Sequence, residues 1–590
     1  MSNYTRVNDF SVKDSLPSGN VNKKIVGAQV DQEFDALVVA VGTKLDDISG
    51  GVTGNIPLIG TSGTTLTDST YDVTEMANNY INVVTYGATG DGVTDDTTAI
   101  NNAYTAARAG SNALVVWPAG TYLVTDGIDA HGVSTLGLGA TLDANLAATS
   151  SYAFLWGGSD TFVTGMIFDL SNSTTETPMQ GIYNSYNDVS RQRFFNNYYI
   201  CNTFRASGLP NIYGLWCMGT GLSGLHVYNN TFVGYYGFQL NNQDSGARDV
   251  NTNPLGDPTY DVFVHDNQFI DSACSVNTPH IFCYNVQIHN NTFRQVSRNV
   301  SMPISVAHVS GLMVSNNIVS CNSGAVGAIH IEDVCQKAMI SNNVIELTAL
   351  NYGILIIDES GVSQDDQPTK RIVIEGNYIY GYGTSGSLSG IAIADAYSYN
   401  TLVSGNHIAN FARGVDITGN NDVCDNFFVD CGVGIRFAGG YQIARGNEFT
   451  GCTYIAKNPS GGSVILSGGT IYGDTFAFDK TGDGTFLLND VALRWTTTTT
   501  FSSGVAFDVC PVPSYKFDGT ITIQFGSGFG FSKHTVSYNG VTLTDTLVAN
   551  VTPSTLGGLT LSLSGTTLQA TPSVASGTAG MIIMIDGLVY

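Results

Sequence analysis

The 590-residue sequence predicts an all-β chain wound as a right-handed parallel β-helix, a solenoid of short stacked strands. Two motifs carry this prediction: an asparagine-centred unit, and an apolar strand that recurs between successive units. The composition agrees, because 68 glycines suit many tight bends and only 12% of the residues are charged. We expect three regions: residues 1–77, 78–475 and 476–590.

The first region, residues 1–77, contains one helical pattern between Gly27 and Asp46. Apolar side chains have amphipathic-helix spacing at Val30, Phe34, Leu37, Val38 and Val41. Residues 46–72 are rich in Gly, Thr and Ser without a helical period, which predicts a linker or short strands. The region is therefore a short, partly α-helical segment ahead of the solenoid.

The asparagine-centred unit defines the second region and reads apolar–x–(Asn/Gly/Asp)–Asn–x–apolar, as in VYNNTF at 227–232. Its central residues are Asn197, Asn230, Asn267, Asn291, Asn317, Asn343, Asn377, Asn406, Asn426 and Asn447. Such a unit is two strands joined by a tight bend, and asparagines stacked one coil apart can form a side-chain ladder. The shortest gaps, of 20 and 21 residues, fit one coil of a three-sided solenoid. Longer gaps predict projecting loops.

The second motif indicates the register of the coils. It reads GFQL (237–240), PISV (303–306), AIHI (328–331), GILI (353–356), GIAI (390–393), GVDI (414–417) and GIRF (434–437). We expect the second and fourth residues of each motif to point inward and the third to point outward.

After about residue 475 the asparagine unit stops and a different pattern begins. Alternating segments such as TITIQF (520–525), GLTLSL (558–563) and MIIMID (581–586) predict antiparallel strands. We interpret residues 476–590 as a small β-sandwich or a trimerising β-domain.

Charge and composition exclude several classes of function. The net charge of −25 and the lack of a Lys/Arg cluster argue against nucleic-acid binding and against anionic membranes. No run of 18 apolar residues predicts membrane insertion, and the N-terminal MSNYTRVNDFSVKDSL does not resemble a secretory signal, so we expect folding in a cytosol. The ten cysteines lack zinc-type spacing, which predicts buried thiols. We expect no metal and no cofactor.

Residues 81–124 resemble the start of the pectate-lyase-like β-helix superfamily. The matching residues are Gly87-Ala88, Gly90-Asp91-Gly92, Thr94-Asp95-Asp96, Ala99-Ile100, Val116, Pro118, Gly120 and Tyr122. Independently of the resemblance, Asp95 is a good N-cap for a helix over residues 96–108, whose Ile100, Tyr104 and Ala107 would face the first coil. Capping explains the acidic run better than a metal loop does.

The front segment resembles the head-binding adaptor of phage tailspikes and tail fibres. The matching residues are Asp9, Phe10, Leu16, Pro17, Gly19, Lys24-Ile25, Gly27, Asp31, Glu33-Phe34 and Lys44. The resemblance implies a homotrimer that attaches to the phage tail through residues 1–77. It also implies assembly in the host cytoplasm, and binding and often hydrolysis of a bacterial surface polysaccharide such as O-antigen, capsule or exopolysaccharide.

Glycoside hydrolysis needs paired carboxyl groups, and the second motif predicts a column of them. Two residues past its last inward position come His308, Asp333, Asp358 and Asp395 on consecutive motifs. Glu332 and Glu359 lie beside this column, and His330 projects from the preceding strand. Adjacent coils would separate aspartates by roughly 4.8 Å and alternate coils by roughly 9–10 Å. Retaining and inverting geometries are both possible, and outward splay slightly favours inversion. We expect Asp333, Asp358, Asp395 and Glu332 to be catalytic.

We expect the neighbouring polar residues to bind substrate. Asp416 and Arg436 occupy the outward position on the next two motifs, and Arg413 is suited to an acidic sugar. Tyr397 is the first aromatic candidate for stacking on a sugar ring. Weaker aromatic candidates are Tyr399, Tyr380, Tyr382 and Trp216.

Other functions remain open at this stage. A non-catalytic receptor-binding spike would have the same fold, and a lyase would be possible if the acidic column held calcium. A secreted cell-wall glycanase of the same superfamily fits less well, because we see no signal peptide. No GxSxG elbow indicates a serine esterase.

Overall fold

The structure is a computed structural model. It describes residues 80–110, 114–146, 152–172, 179–184, 188–201, 212–217, 221–234, 236–240, 258–277, 283–295, 302–321, 326–332, 335–347, 352–357, 371–384, 386, 388–394, 400–419, 421–439, 442–458 and 463–472, together with residues 18, 32 and 35 and the strands named below before residue 80 and after residue 472. Two compact units are distinguished, residues 1–81 with 106–115, and residues 82–105 with 116–590.

In the first unit, the strands Asn55–Ile59 and Leu66–Asp72 pair antiparallel. The helix expected between Gly27 and Asp46 lies outside the described residues apart from Gln32 and Asp35, which are helical. No helix in the described part of the chain combines the length and the apolar character that a membrane span requires.

Each full coil of the second unit contributes one strand to each of three parallel sheets. Sheet A precedes the asparagine bend and contains Arg193–Phe195, Ser223–Tyr228, Thr259–His265, Cys283–His289, Val309–Ser315, Met339–Ser341, Val373–Glu375, Leu402–Ser404, Asp422–Cys424, Gln442–Arg445 and Ser463–Ser467. Sheet B follows the bend and contains Tyr198–Ile200, Thr231–Val233, Gln268–Ile270, Thr292–Arg294, Ile318–Cys321, Val344–Leu347, Tyr378–Gly383, His407–Phe411, Phe427–Val429, Glu448–Thr450 and Thr470–Tyr472.

Sheet C follows sheet B in each coil and carries the second sequence motif. It contains Ile128–Asp129, Tyr152–Leu155, Met179–Asn184, Ile212–Cys217, Tyr236–Leu240, Ala273–Asn277, Ile304–Ala307, Gly327–Glu332, Tyr352–Ile357, Ser389–Ile393, Arg413–Ile417, Val433–Phe437, Tyr454–Asn458 and Phe478–Lys480. Its described inward side chains, such as Phe238 and Ile304, are fully buried. The predicted parallel β-helix and the inward–outward alternation of this motif are therefore confirmed.

The strands at the start of the coils are longer or less regular. Ser134–Ala144 and Phe162–Asp169 each run through both sheet A and sheet B. The remaining early elements are Tyr80–Asn82, the 3-10 turn Val83–Tyr86, Asp91–Asp95, the helix Thr97–Ala109, Leu114–Trp117 and Gly120–Val124. The Asp95 carboxylate accepts from the Thr97 N–H at 3.0 Å, but the first helical bond runs from the Ile100 N–H to the Asp96 carbonyl, so the N-cap is Asp96, one residue later than predicted. Ile100 and Tyr104 are fully buried on this helix, as expected.

A continuous asparagine ladder runs along the corner between sheets A and B. The Oδ1 atom of Asn317 accepts from the backbone N–H of Asn291 at 3.0 Å and from its Nδ2 at 3.1 Å. In turn, the Nδ2 of Asn317 donates to the Ile288 carbonyl and to the Oδ1 of Asn343. The same amide-to-amide contact links Asn197, Asn230, Asn267, Asn291, Asn317, Asn343, Asn377, Asn406, Asn426 and Asn447. The ladder predicted from the repeat is confirmed.

The left-handed residue of the bend is the one before the ladder asparagine. Asn316 has φ 56° and Gly405 has φ 62°, whereas the asparagine that follows each of them makes the ladder contacts. This explains the Asn/Gly/Asp preference at that position, because these residues tolerate positive φ best. The ladder position needs a buried amide with both a donor and an acceptor, which only Asn provides at this side-chain length.

The glycine that opens several of the sheet C motifs has a packing role. A Cβ at Gly414 would collide with the Phe428 ring and would lie 2.6 Å from the Gly434 carbonyl oxygen. Phe428 belongs to the inward column of sheet B, where it stacks on Phe449 at 5.0 Å between ring centroids. The glycine thus allows sheet C to approach the large inward side chains of sheet B.

Parallel pairing continues past residue 475 through Phe478–Lys480 and Thr485–Arg494. Thr485–Arg494 then pairs antiparallel with Met581–Val589, and that strand with Phe517–Phe525. The other C-terminal strands are Thr499–Phe501, Phe507–Pro511, Phe531–Tyr538, Leu543–Val551, Leu559–Ser564, Thr567–Pro572 and Gly577–Ala579, all in antiparallel pairs. Antiparallel strands were predicted here.

Replacing Asn317 by Ala is expected to lower the free energy of unfolding by about 2 kcal/mol or more, because buried groups of Asn291, Ile288 and Asn343 lose partners. The matched control is Asn316→Gly, which removes the neighbouring amide at a bend position with φ 56° and should change stability by only about 0.5 kcal/mol. Denaturant midpoints measure both changes, and equal effects would contradict the assigned role of the ladder.

Candidate functional site

The outer face of sheet C presents one side chain per coil in a central column. Register places the column at Leu155, Tyr183, Trp216, Gln239, Ser275, Ser305, His330, Leu355, Ala392, Asp416, Arg436 and Lys457. From Ser275 to Ala392 these outward side chains are buried, whereas Asp416 and Arg436 are partly exposed. The face therefore combines a water-poor stretch with a charged, accessible one.

The sheet C strands that precede the predicted carboxylate column have the register expected from the sequence. Val306, Ile331, Ile356 and Ile393 are successive partners and point inward. The aspartates were expected two residues beyond these positions. Asp333, Asp358 and Asp395, as well as Glu359 and Tyr397, lie outside the described residues.

Glu332 and His330 form a close pair on the outer face of sheet C. The Nδ1 atom of His330 lies 2.6 Å from Oε1 of Glu332 and 2.7 Å from the sulfur of Met302. The imidazole belongs to the outward column but is buried, while 14% of the Glu332 side chain is exposed. Because alternate residues of a strand share a face, the two side chains meet on the same side of the sheet.

His308 occupies the bend between sheets C and A. Its φ of 57° turns the chain directly from Ile304–Ala307 into Val309–Ser315, and its carbonyl accepts from the Cys283 N–H. The coil therefore has only one residue between these two strands, and His308 is half-buried at the end of sheet C.

Arg413, Asp416 and Arg436 form an ion cluster on the accessible part of the column. Asp416 accepts from Nη1 of Arg413 at 2.6 Å and from Nη1 of Arg436 at 2.8 Å. Two guanidinium groups on one carboxylate leave a positive charge in excess, and 26% of each arginine side chain remains exposed. The cluster is thus suited to an anionic group.

The weaker aromatic candidates are dispersed. Trp216 is buried in the sheet C column, whereas Tyr380 and Tyr382 are exposed on the strand Tyr378–Gly383 of sheet B. Tyr399 lies outside the described residues. Sequence alone did not separate these faces, because long loops change the spacing between aromatic residues.

The structure contains an outward ring ladder on sheet A that our sequence analysis missed. Phe195, Tyr228, His265 and His289 stack with centroids 4.9–5.2 Å apart and planes within 3°. The signal was present in the asparagine unit, since each ring lies two residues before a ladder asparagine.

The rings in this ladder cover one another's faces, so their edges point to solvent. Burial lowers the pKa of His289 and His226, and the nearby His265 lowers both further. The Nδ1 of His265 lies 2.7 Å from the Asp266 carboxylate, which this contact keeps ionised at a lowered pKa. The other charged groups acting on His226 are Arg193 and Asp261.

Within the described ranges, no three His, Cys, Asp or Glu side chains gather as a metal site would require. The nine cysteines from Cys201 to Cys452 are buried, and burial raises the pKa of Cys217 to about 12. That thiol therefore stays protonated at neutral pH.

Comparison with protein families matches residues 80–253, less than a third of the chain, to the family described as rhamnogalacturonase A/epimerase, pectate lyase-like. This agrees with the resemblance found at residues 81–124. No curated protein matches the sequence.

Similar solved structures include the tailspike of E. coli bacteriophage HK620 in complex with a pentasaccharide (11% identity, 92% of this chain, 100% of that chain, TM-score 0.45). A second is the A-module of the Azotobacter vinelandii mannuronan C-5 epimerase AlgE6 (17% identity, 70% of this chain, 98% of that chain, TM-score 0.36). A third is the Streptococcus pneumoniae surface adhesin PfbA (13% identity, 70% of this chain, 90% of that chain, TM-score 0.38). At these identities the function has to be argued from the residues of this chain.

Acidification is expected to destabilise the fold through the imidazoles of sheet A. The pKa values of His226 and His289 are lowered from the ordinary 6.5, so the unfolded chain binds protons first as the pH falls below that value. Their contribution is fully present above pH 6.5 and is lost as the pH falls towards the folded-state pKa. His289→Phe, which keeps a ring in the stack, should make the unfolding midpoint less dependent on pH between about 7.5 and 5.5.

The control for this experiment is Phe195→Leu, which removes a ring from the same ladder but no titratable group. It should leave the pH dependence of the wild-type chain unchanged. An equal slope for His289→Phe and wild type would show that the ladder does not titrate as assigned.

Proposed function

We propose that this chain is a phage tailspike that binds a bacterial surface polysaccharide along the outer face of sheet C and cleaves it by endo-glycosidic hydrolysis. The observation that carries the proposal is the register of sheet C. Val306, Ile331, Ile356 and Ile393 stack in line, and in the sequence Asp333, Asp358 and Asp395 each follow two residues after the last three of them. The name of the family matched by residues 80–253 also supports a glycan as the ligand.

The proposed chemistry uses carboxyl groups of this column and Glu332. Equivalent positions one coil apart are separated by roughly 4.8 Å, and those two coils apart by roughly 9–10 Å. An inverting hydrolase needs roughly 6.5–9.5 Å between its acid and its base. We therefore assign the acid and base to carboxyls on different coils, and prefer inversion because side chains splay outwards. Two carboxylates at such a separation would disfavour ionisation of one of them, which is what an acid catalyst requires.

Substrate binding is assigned to the polar residues around this column. Arg413 and Arg436, held by Asp416, would bind an acidic sugar, since their cluster has excess positive charge. Asp416 lies three coils from His330, or about 14 Å, the length of roughly three sugar units. His308, His330, Glu359 and Tyr397 complete the proposed binding residues.

The proposal includes the assembly of the particle. A homotrimer would present three such faces and would attach to the phage tail through residues 1–77. The chain would then assemble in the host cytoplasm and act at the host surface. These parts rest on the resemblance of the front segment to head-binding adaptors.

The test is incubation of the full chain with host surface polysaccharide, followed by sizing of the products. We expect shortened chains with new reducing ends, and D333N, D358N, D395N and E332Q each tested alone should identify two carboxyls whose loss lowers the rate by about 10²-fold or more. D422N, on sheet A, is the matched control and should retain full activity.

The products of this incubation also distinguish hydrolysis from a lyase reaction and from binding without catalysis. Unsaturated uronate ends would indicate a lyase and would refute hydrolysis. Intact polymer from every host that the chain binds would leave a receptor-binding spike without catalysis. Full activity in all four carboxyl variants would refute the assigned column.

A further inference from the structure

His330 has the arrangement of an oriented base. Its Nδ1 lies 2.6 Å from Glu332, and a carboxylate at that distance accepts the Nδ1 proton. The proton on Nδ1 leaves Nε2 as the basic atom of the ring. Glu332 therefore fixes both the tautomer and the direction of the imidazole.

The Nε2 of His330 is buried and has no hydrogen-bond partner among the described residues. A buried polar atom without a partner bears the full cost of its desolvation. A role in proton transfer would explain why Nε2 has no partner in the folded chain. The same role would explain why Glu332 orients Nδ1.

Ser305 is the neighbour that a base in this position would serve. It pairs directly with His330 in the parallel ladder, so the two Cα atoms are about 4.8 Å apart and both side chains point outward. Ser305 is nearly buried, and the next outward residue on the other side of His330 is the apolar Leu355. Rotation about the Cα–Cβ bond of Ser305 moves its hydroxyl relative to the His330 ring.

We propose that Ser305, His330 and Glu332 act as nucleophile, general base and orienting carboxylate in the hydrolysis of acyl esters on the glycan. The identity of this substrate rests on the proposed function. Glu332 contacts Nδ1 of His330, and Ser305 is the strand neighbour of His330 on the side of the previous coil, so the three residues follow the order of nucleophile, base and orienting group found in serine hydrolases. The GxSxG elbow is one way of building it, and stacked coils are another.

The reaction balances with water as the only co-reactant. Oγ of Ser305 bonds to the acyl carbon while its proton passes to Nε2 of His330. The bond from that carbon to the sugar oxygen then breaks, and the sugar oxygen takes the proton. Water, activated by the same base, cleaves the acyl-serine, which releases a carboxylic acid and restores the hydroxyl.

The test uses the full chain with two probes, p-nitrophenyl acetate for turnover and a fluorophosphonate for covalent labelling. We expect labelling of the peptide that contains Ser305, and a loss of kcat/KM of about 10³-fold or more in S305A. Ser275, one coil away in the same column and similarly buried, provides the matched control, and S275A should retain turnover and labelling.

Glu332 is tested as a positioning residue. E332Q should lower kcat by about 10²-fold or more with little change in KM, and E332D should recover part of the loss. A merely structural role would change thermal stability without this division between kcat and KM.

The results of these tests distinguish a failure of the proposed ester hydrolysis from a failure of the proposed glycan depolymerisation. Absence of labelling, labelling of another serine, or full turnover in folded S305A would overturn the ester hydrolysis, whether or not the chain depolymerises glycan. Ser305-dependent turnover in a chain that leaves polysaccharide length unchanged would support it while refuting the glycosidase. S305A should depolymerise glycan at the wild-type rate if both are correct.

Discussion

The asparagine ladder is the interaction on which the register of the coils depends. Each amide bonds to the coil before it and the coil after it, at a corner where no water is available as a substitute partner. A shift of one residue would leave these groups unpaired and would turn inward side chains outward. The cost of such a shift is therefore high at every bend.

A fixed register makes each outer face a set of columns, and the three faces differ in chemistry. Sheet A carries stacked rings such as Tyr228 and His265, whereas sheet C carries His330, Asp416 and Arg436 in one line. Because loops of any length leave the strands in line, residues 25 to 37 positions apart in sequence become neighbours.

The solvent exposure of each side chain in a column then determines its chemical properties. Asp416 and its two arginines are partly exposed and suit a charged ligand, while His330 sits in a water-poor place where one contact fixes its tautomer. Similar residue types thus acquire different properties a few coils apart, since a low dielectric strengthens each remaining polar contact.

The repeating unit, the ladder asparagines, the alternation in sheet C and the helix after the acidic run could be predicted from the sequence, because they depend on local backbone preferences and on a two-residue period. The sequence also placed Asp416 and Arg436 in one column. The burial of His330 against Glu332 with Ser305 on the adjacent coil, and the stacking of the sheet A rings, became apparent from the fold alone. Those features depend on which side chains adjacent coils bring together and on what excludes water from them. Neither is encoded in the spacing along one chain.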